Sequence, residues 1–117
     1  MGKLSTHVLD TAHGRPAANV AIALYAVTDQ DRRLLVNTST NTDGRCDAPL
    51  LEGEALQAGY YELVFAAGDY FAAHGVAVSE PRFIDRVTIA FGVADPNQNY
   101  HVPLVVTPWS YSTYRGS

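Results

Sequence analysis

Apolar residues along this chain fall in short bursts, alternating or continuous, and each burst is closed by turn-forming residues. Leu4 to Leu9 alternates and ends at Asp10, after which His13-Gly14-Arg15-Pro16 makes a loop. Val20 to Val27 (VAIALYAV) reads as a second strand, with Val20, Ile22, Leu24 and Ala26 on one face. Thr28 to Asp31 turns the chain and Arg33 to Thr40 returns it. In the turn Asn41-Thr42-Asp43-Gly44, the glycine can take the positive φ that other residues avoid. Ala48 to Gly59 has no clear period and is predicted as a long connection. Tyr60 to Ala66 alternates as a strand. One helix is predicted, Asp69 to His74, with Asp69 as N-cap and Gly75 ending it. Ile84 to Val93 and Tyr100 to Thr107 are further strands, joined by Ala94-Asp95-Pro96-Asn97, and Trp109 to Tyr114 is the last. Pro103 lacks an amide proton, so it belongs at a bulge or where that position faces no partner. About seven or eight strands and one short helix make an all-β, two-sheet sandwich, a single domain over residues 1–117.

Composition removes several function classes. The 117 residues are 47% hydrophobic and only 17% charged, which excludes a disordered chain. The apolar runs are too short for a membrane-spanning helix, and no membrane partner is expected. The net charge is -4, with one lysine among 8 basic residues and no basic stripe, so no nucleic-acid partner is expected either. One cysteine, Cys46, cannot close an internal disulfide and favours a reducing compartment. The first residues lack a secretory signal peptide. Gly2 and Thr6 match an acylation pattern, but Lys3-Leu4 leads straight into a strand, and an unmodified, cytoplasmic protein is expected.

No paired-cysteine site, HExxH, phosphate loop or GxSxG elbow occurs, so no metal, cofactor or serine nucleophile is predicted. Cys46 reads as a buried or incidental thiol. What remains are polar residues that strands do not ordinarily need. His7 lies mid-strand on the face of Ser5 and Leu9, His101 precedes the apolar run Val102 to Val106, and Arg45 follows the glycine turn. The end, Tyr114-Arg115-Gly116-Ser117, follows an aromatic strand where a frayed tail is the norm.

These segments carry a family resemblance. Leu4 to Thr11 (LSTHVLDT), Thr42-Asp43-Gly44-Arg45, His101-Val102-Pro103-Leu104 and Pro108 to Ser117 (PWSYSTYRGS) resemble the 5-hydroxyisourate hydrolases, the enzymatic relatives of transthyretin. The terminal Tyr-Arg-Gly-Ser is the most specific part, since the hormone carrier lacks it. The resemblance spans essentially the whole chain. It implies a transthyretin-like sandwich and an enzyme of urate catabolism that opens a ring C–N bond of 5-hydroxyisourate, giving 2-oxo-4-hydroxy-4-carboxy-5-ureidoimidazoline. It also implies a homotetramer, a dimer of dimers, with sites in a channel between subunits. The family's catalytic positions match His7, Arg45, His101 and Ser117. An extra arginine, Arg82, follows Pro81 as a loop variation, and His13 and His74 match no catalytic position.

Cyclic-amide hydrolysis needs an activated water, oxyanion stabilisation and a proton for the departing nitrogen. His101 is assigned the base and His7 the orienting role, although nothing in the sequence forbids the exchange. Arg45 suits the carbonyl oxygens of a flat ring. Ser117 offers a hydroxyl and, as the last residue, a carboxylate. Tyr114 and Arg115 are expected to contribute to substrate binding, Arg115 either by pairing with that carboxylate or by fixing the tail. The alternatives are a transthyretin-like carrier of small aromatic ligands, which needs no proton-transferring pair, and a non-catalytic interaction module.

Overall fold

The computed structural model describes residues 1–117, and its strands form two packed layers. In chain order the elements are β1 (Lys3–Ser5), β2 (Val8–Asp10), β3 (Arg15–Pro16), β4 (Ala21–Val27), β5 (Arg32–Ser39), β6 (Leu51–Glu52), β7 (Gly59–Phe65), α1 (Ala67–Ala73), β8 (Val87–Val93), β9 (Tyr100–His101), β10 (Leu104–Val106) and β11 (Tyr111–Ser112). One layer is the antiparallel sheet β5-β4-β7-β8. The other joins β6-β1-β9 to β11-β10-β2-β3, because the Val102 amide donates to the Ser5 carbonyl at 2.9 Å and the Leu104 amide to the His7 carbonyl at 2.8 Å. The transthyretin-like sandwich expected from sequence is therefore present.

The core lies between the layers and follows the period-two pattern. Leu4 and Val8 point inward from one sheet, and Ile22, Leu24, Leu63, Phe65, Val87 and Ile89 from the other. Lys3, Ser5, His7 and Leu9 point the opposite way, to the outer face of the first layer.

Several predicted boundaries shift, each for a visible reason. The single strand Leu4–Leu9 is broken at Thr6–His7, because the Thr6 hydroxyl takes the Val102 carbonyl at 2.7 Å. Its parallel partner, expected as one strand from Tyr100 to Thr107, is split at Val102–Pro103, where proline supplies no ladder donor. The segment Ile84–Arg86 leaves the sheet: the Asp85 carbonyl instead accepts from the Gly68 amide at 2.7 Å, at the start of α1. Asp69 is not the N-cap. That position falls to Ala66, and Asp69 sits in the first turn, paired with Arg82. Gly75, with φ of 76°, does end the helix. The long connection Ala48–Gly59 holds the short strand β6 and one 3₁₀ turn, Gly53–Ala55. No helix is long and apolar enough to cross a membrane.

Candidate active site

Four segments converge on the outer face of the first layer, and backbone pairing sets each in place. Ser5 and His101 stand directly across from one another in the parallel pair β1–β9, which puts their side chains on one face. Ser5 Oγ lies 2.9 Å from His101 Nδ1. His7 pairs with Arg45 in an isolated antiparallel bridge. On its other flank, His101 pairs with Gly116: the His101 amide donates to the Gly116 carbonyl at 3.0 Å, and the Gly116 amide returns to the His101 carbonyl at 2.7 Å. His7, Arg45, His101 and the Gly116-Ser117 end are thus brought together from distant parts of the sequence.

The turn before Arg45 shows why a glycine is needed there. Gly44 has φ of 74°, and a Cβ on it would fall 2.4 Å from the Val8 carbonyl oxygen. That closeness is what lets the Val8 amide bond the Gly44 carbonyl at 2.8 Å. The Asn41 side-chain oxygen accepts the amides of Asp43 (2.9 Å) and Arg45 (3.2 Å), closing the turn from inside. Arg45 emerges exposed beside the histidines.

The two histidines differ in their commitments. His7 Nε2 lies 2.7 Å from the Asp43 carbonyl, which can only accept, so that nitrogen carries a proton. His101 is half-buried, and burial lowers its pKa from the ordinary 6.5, with Arg45 and His7 pushing the same way. It is therefore neutral at physiological pH. Cys46 moves in the direction that disarms it: burial and then Asp47 raise the thiol, keeping it protonated.

Arg115 faces elsewhere. Its guanidinium stacks on the Tyr100 ring at 4.4 Å and donates to Gln98 Oε1 at 3.0 Å, so of the two roles expected for it the contacts are those of a tail fastener. Tyr114 is 61% exposed and opens onto a groove shared with Phe91 of β8. Arg82 straps the loop before β8 to α1, reaching Asp69, Asp85 and Glu80, away from the histidines. Sequence reasoning put Ser5 on the face of His7 but gave it no part in the chemistry. The missing signal was the parallel register that sets it against His101.

His13 and His74 serve the scaffold. Asp10 is fully buried and accepts from Tyr70 Oη at 2.7 Å and from His13 Nδ1 at 2.6 Å. Burial pushes its carboxyl up, but the Tyr70 and His13 hydrogen bonds prevail and hold it below its ordinary value. His74 Nδ1 donates to the Tyr70 carbonyl at 2.9 Å.

The site is open-sided. Arg45 and Ser5 line a hollow of only about 200 Å³, whereas the largest groove, about 530 Å³, lies on the outer face of the other sheet, between Tyr25, Arg32 and Arg86, and holds no histidine. No group of three His, Cys, Asp or Glu side chains converges as for a metal ion.

A family model described as HIUase/Transthyretin family matches residues 4–116. The 5-hydroxyisourate hydrolase of Ralstonia nicotianae is 61% identical over the full length of both chains. A crystal structure of (S)-allantoin synthase superposes with a TM-score of 0.94 at 43% identity, covering 99% of this chain and 44% of that longer one. The 5-hydroxyisourate hydrolase of Klebsiella pneumoniae superposes with a TM-score of 0.82 at 34% identity, covering all of both chains.

Proposed function

The chain belongs to the HIUase/transthyretin family, and from that membership we propose the chemistry its site performs. It is a 5-hydroxyisourate hydrolase of urate catabolism. What carries the mechanistic reading is one convergence: two histidines with different hydrogen-bond commitments and a fork-shaped cation meet on a single sheet face.

His101 acts as the base. It is neutral, and its Nδ1 faces Ser5, so Nε2 is the nitrogen left for water. His7 is already a donor through Nε2 to the Asp43 carbonyl, which suits orientation better than proton abstraction. Water loses a proton to His101 as its oxygen bonds the ring carbonyl carbon. The oxyanion that develops meets Arg45, whose planar guanidinium can grip two oxygens of a flat ring. The C–N bond then breaks, and His101 returns the proton to the leaving nitrogen, completing the addition of one water. Ser117, held next to the site by the Gly116–His101 bridge, supplies a polar contact to the substrate. Arg115 holds that tail in register, and Tyr114, which opens onto the groove beside β8, is the weakest-supported of the expected substrate contacts.

A homotetramer, arranged as a dimer of dimers, is part of the same proposal. Its support is the open-sided site, the edge position of β8, and the exposure of Trp109 (66%), Tyr111 (50%) and Tyr114 (61%) in the last segment of the chain. A cytoplasmic setting is supported by the single unpaired cysteine. The test is direct: 5-hydroxyisourate is generated from urate with uricase, and its decay is followed spectroscopically with and without this protein. Acceleration is expected, and a decay rate unchanged by the protein would refute the function.

A further inference from the structure

We infer that Ser5 is a positioning residue for His101, fixing which imidazole nitrogen is free to take the proton. The inference rests on the assignment of His101 as base. The observation is a side-chain pair held by backbone geometry: β1 and β9 run parallel with Ser5 opposite His101, and Oγ lies 2.9 Å from Nδ1 in a half-buried position. On the other flank Gly116 closes against the ring, where a Cβ would sit 3.1 Å from His101 Cβ and 3.4 Å from Cδ2. The imidazole is therefore confined on one side and hydrogen-bonded on the other.

A hydroxyl at this place can hold the ring without adding a charge beside it. An imidazole that attacks a water proton through Nε2 must carry its own hydrogen on Nδ1, and Ser5 Oγ accepts it. When Nε2 gains the second proton, the same oxygen still faces the Nδ1–H. A carboxylate would do this too, but its charge would stabilise the imidazolium and raise the pKa. The charged and titratable groups that face His101 are Arg45 and His7, with the end of the chain following Gly116. Both named side chains disfavour the imidazolium, and a neutral partner leaves that balance intact. Ser5 thus orients the base without making it cationic.

The test uses Ser5→Ala, Ser5→Thr and Ser5→Asp in the full chain, with two independent readouts. Nitrogen-15 NMR of His101, assigned by its loss in His101→Asn, is expected to show Nδ1 protonated and Nε2 bare in the native protein, and a mixture of tautomers in Ser5→Ala. In kinetics, Ser5→Ala is expected to lower kcat about tenfold, as loss of one neutral hydrogen bond allows, with little change in KM. Ser5→Thr keeps the hydroxyl and should recover most of kcat. Ser5→Asp should move the acid limb of the pH profile upward by about one unit. Native tautomer and native kcat in Ser5→Ala would overturn the inference, as would a Ser5→Thr variant no better than Ser5→Ala. Full activity in His101→Asn would instead strike the base assignment, and the NMR arm would still decide what Ser5 does to the ring.

Discussion

Gly116 and His101 exchange both backbone hydrogen bonds, at 3.0 and 2.7 Å, so the residue read here as the base is flanked by the final pairing of the chain. β11 pairs with β10 in the same register, Ser112 against Val105, and the Thr113 hydroxyl bonds the Pro103 carbonyl at 2.7 Å where proline has no amide to offer. The tail is a continuation of the sheet, with one side-chain bond in place of a ladder bond.

Gly116→Val should therefore damage activity more than stability. The new side chain meets His101 directly, and a displacement of about 1 Å at a reacting group can cost on the order of a hundredfold in rate. Deleting Ser117 should cost about tenfold or more. The hydrophobic core ends at Val106, so melting temperatures should barely move. Turnover of 5-hydroxyisourate alongside calorimetry checks both, and native rates in the two variants would remove the tail from the site.

His101→Asn and Arg45→Lys should each lower kcat/KM by about 10²–10⁴-fold with the fold intact. The lysine keeps the charge and loses the fork, so its failure would identify geometry as what matters at that position. A native rate in Arg45→Lys would show that any cation suffices.

The pH dependence has a defined sign. Burial, then Arg45, then His7 lower the pKa of His101 below 6.5, so the neutral base persists on the acid side of that value. The acid limb of kcat/KM should fall below pH 6.5. Between 6.5 and the folded value the unfolded chain binds the extra proton, so stability is undiminished above 6.5 and erodes as the pH falls through that window. A proton NMR titration of His101 checks the shift, and a midpoint at or above 6.5 would contradict it.

Tyr70→Phe and His13→Asn should separate scaffold from site. Each removes a hydrogen bond to the buried Asp10 carboxylate, at about 1.5–3 kcal/mol per bond to a charged group. The native pKa of Asp10 lies below its ordinary 3.8, so the stabilisation is present above that value and is lost as the pH falls through the folded one. Urea denaturation at pH 7 should show the loss, while kcat/KM of the folded protein stays near native. A severe loss of turnover in His13→Asn would mean that the site extends to this end of β2.

Sedimentation should find four copies of the chain per particle. A fully active monomer would overturn the proposed assembly and leave the open side of the site uncovered in function.

The sandwich itself was legible because its strands alternate: Val20, Ile22 and Leu24 are buried one after another, as a period of two requires. Its interruptions were not, since a side-chain hydroxyl that takes a ladder carbonyl, as Thr6 does, leaves no trace in hydropathy. Nor does a two-residue strand such as β6, which exists only because β1 lies alongside it. At the site, His7, Arg45 and His101 stood out as polar residues where strands do not need them. The partnership of Ser5 with His101 depends on the register of a parallel pair 96 positions apart in sequence, which no local pattern encodes. The role of Arg115 was similarly hidden, because an arginine that stacks on Tyr100 reads the same, residue by residue, as one that binds substrate.

The histidines, Ser5 and the Gly116-Ser117 end sit on or between strands of the layer that contains β1, β2, β9, β10 and β11, and Arg45 reaches them from the turn that leaves β5, by bridging to His7. The two outer faces of the molecule are therefore expected to differ in how much substitution they tolerate. A saturating mutational scan scored for activity should divide along the sandwich: outward positions of β4, β5 and β7 should accept almost any residue that keeps the sheet soluble, while the opposite outer face should tolerate few. The same partition lets chemistry be gained or lost without refolding. A handful of substitutions at His7, Arg45 and His101 would erase the enzyme and leave a stable sandwich, with its core untouched, available for another use.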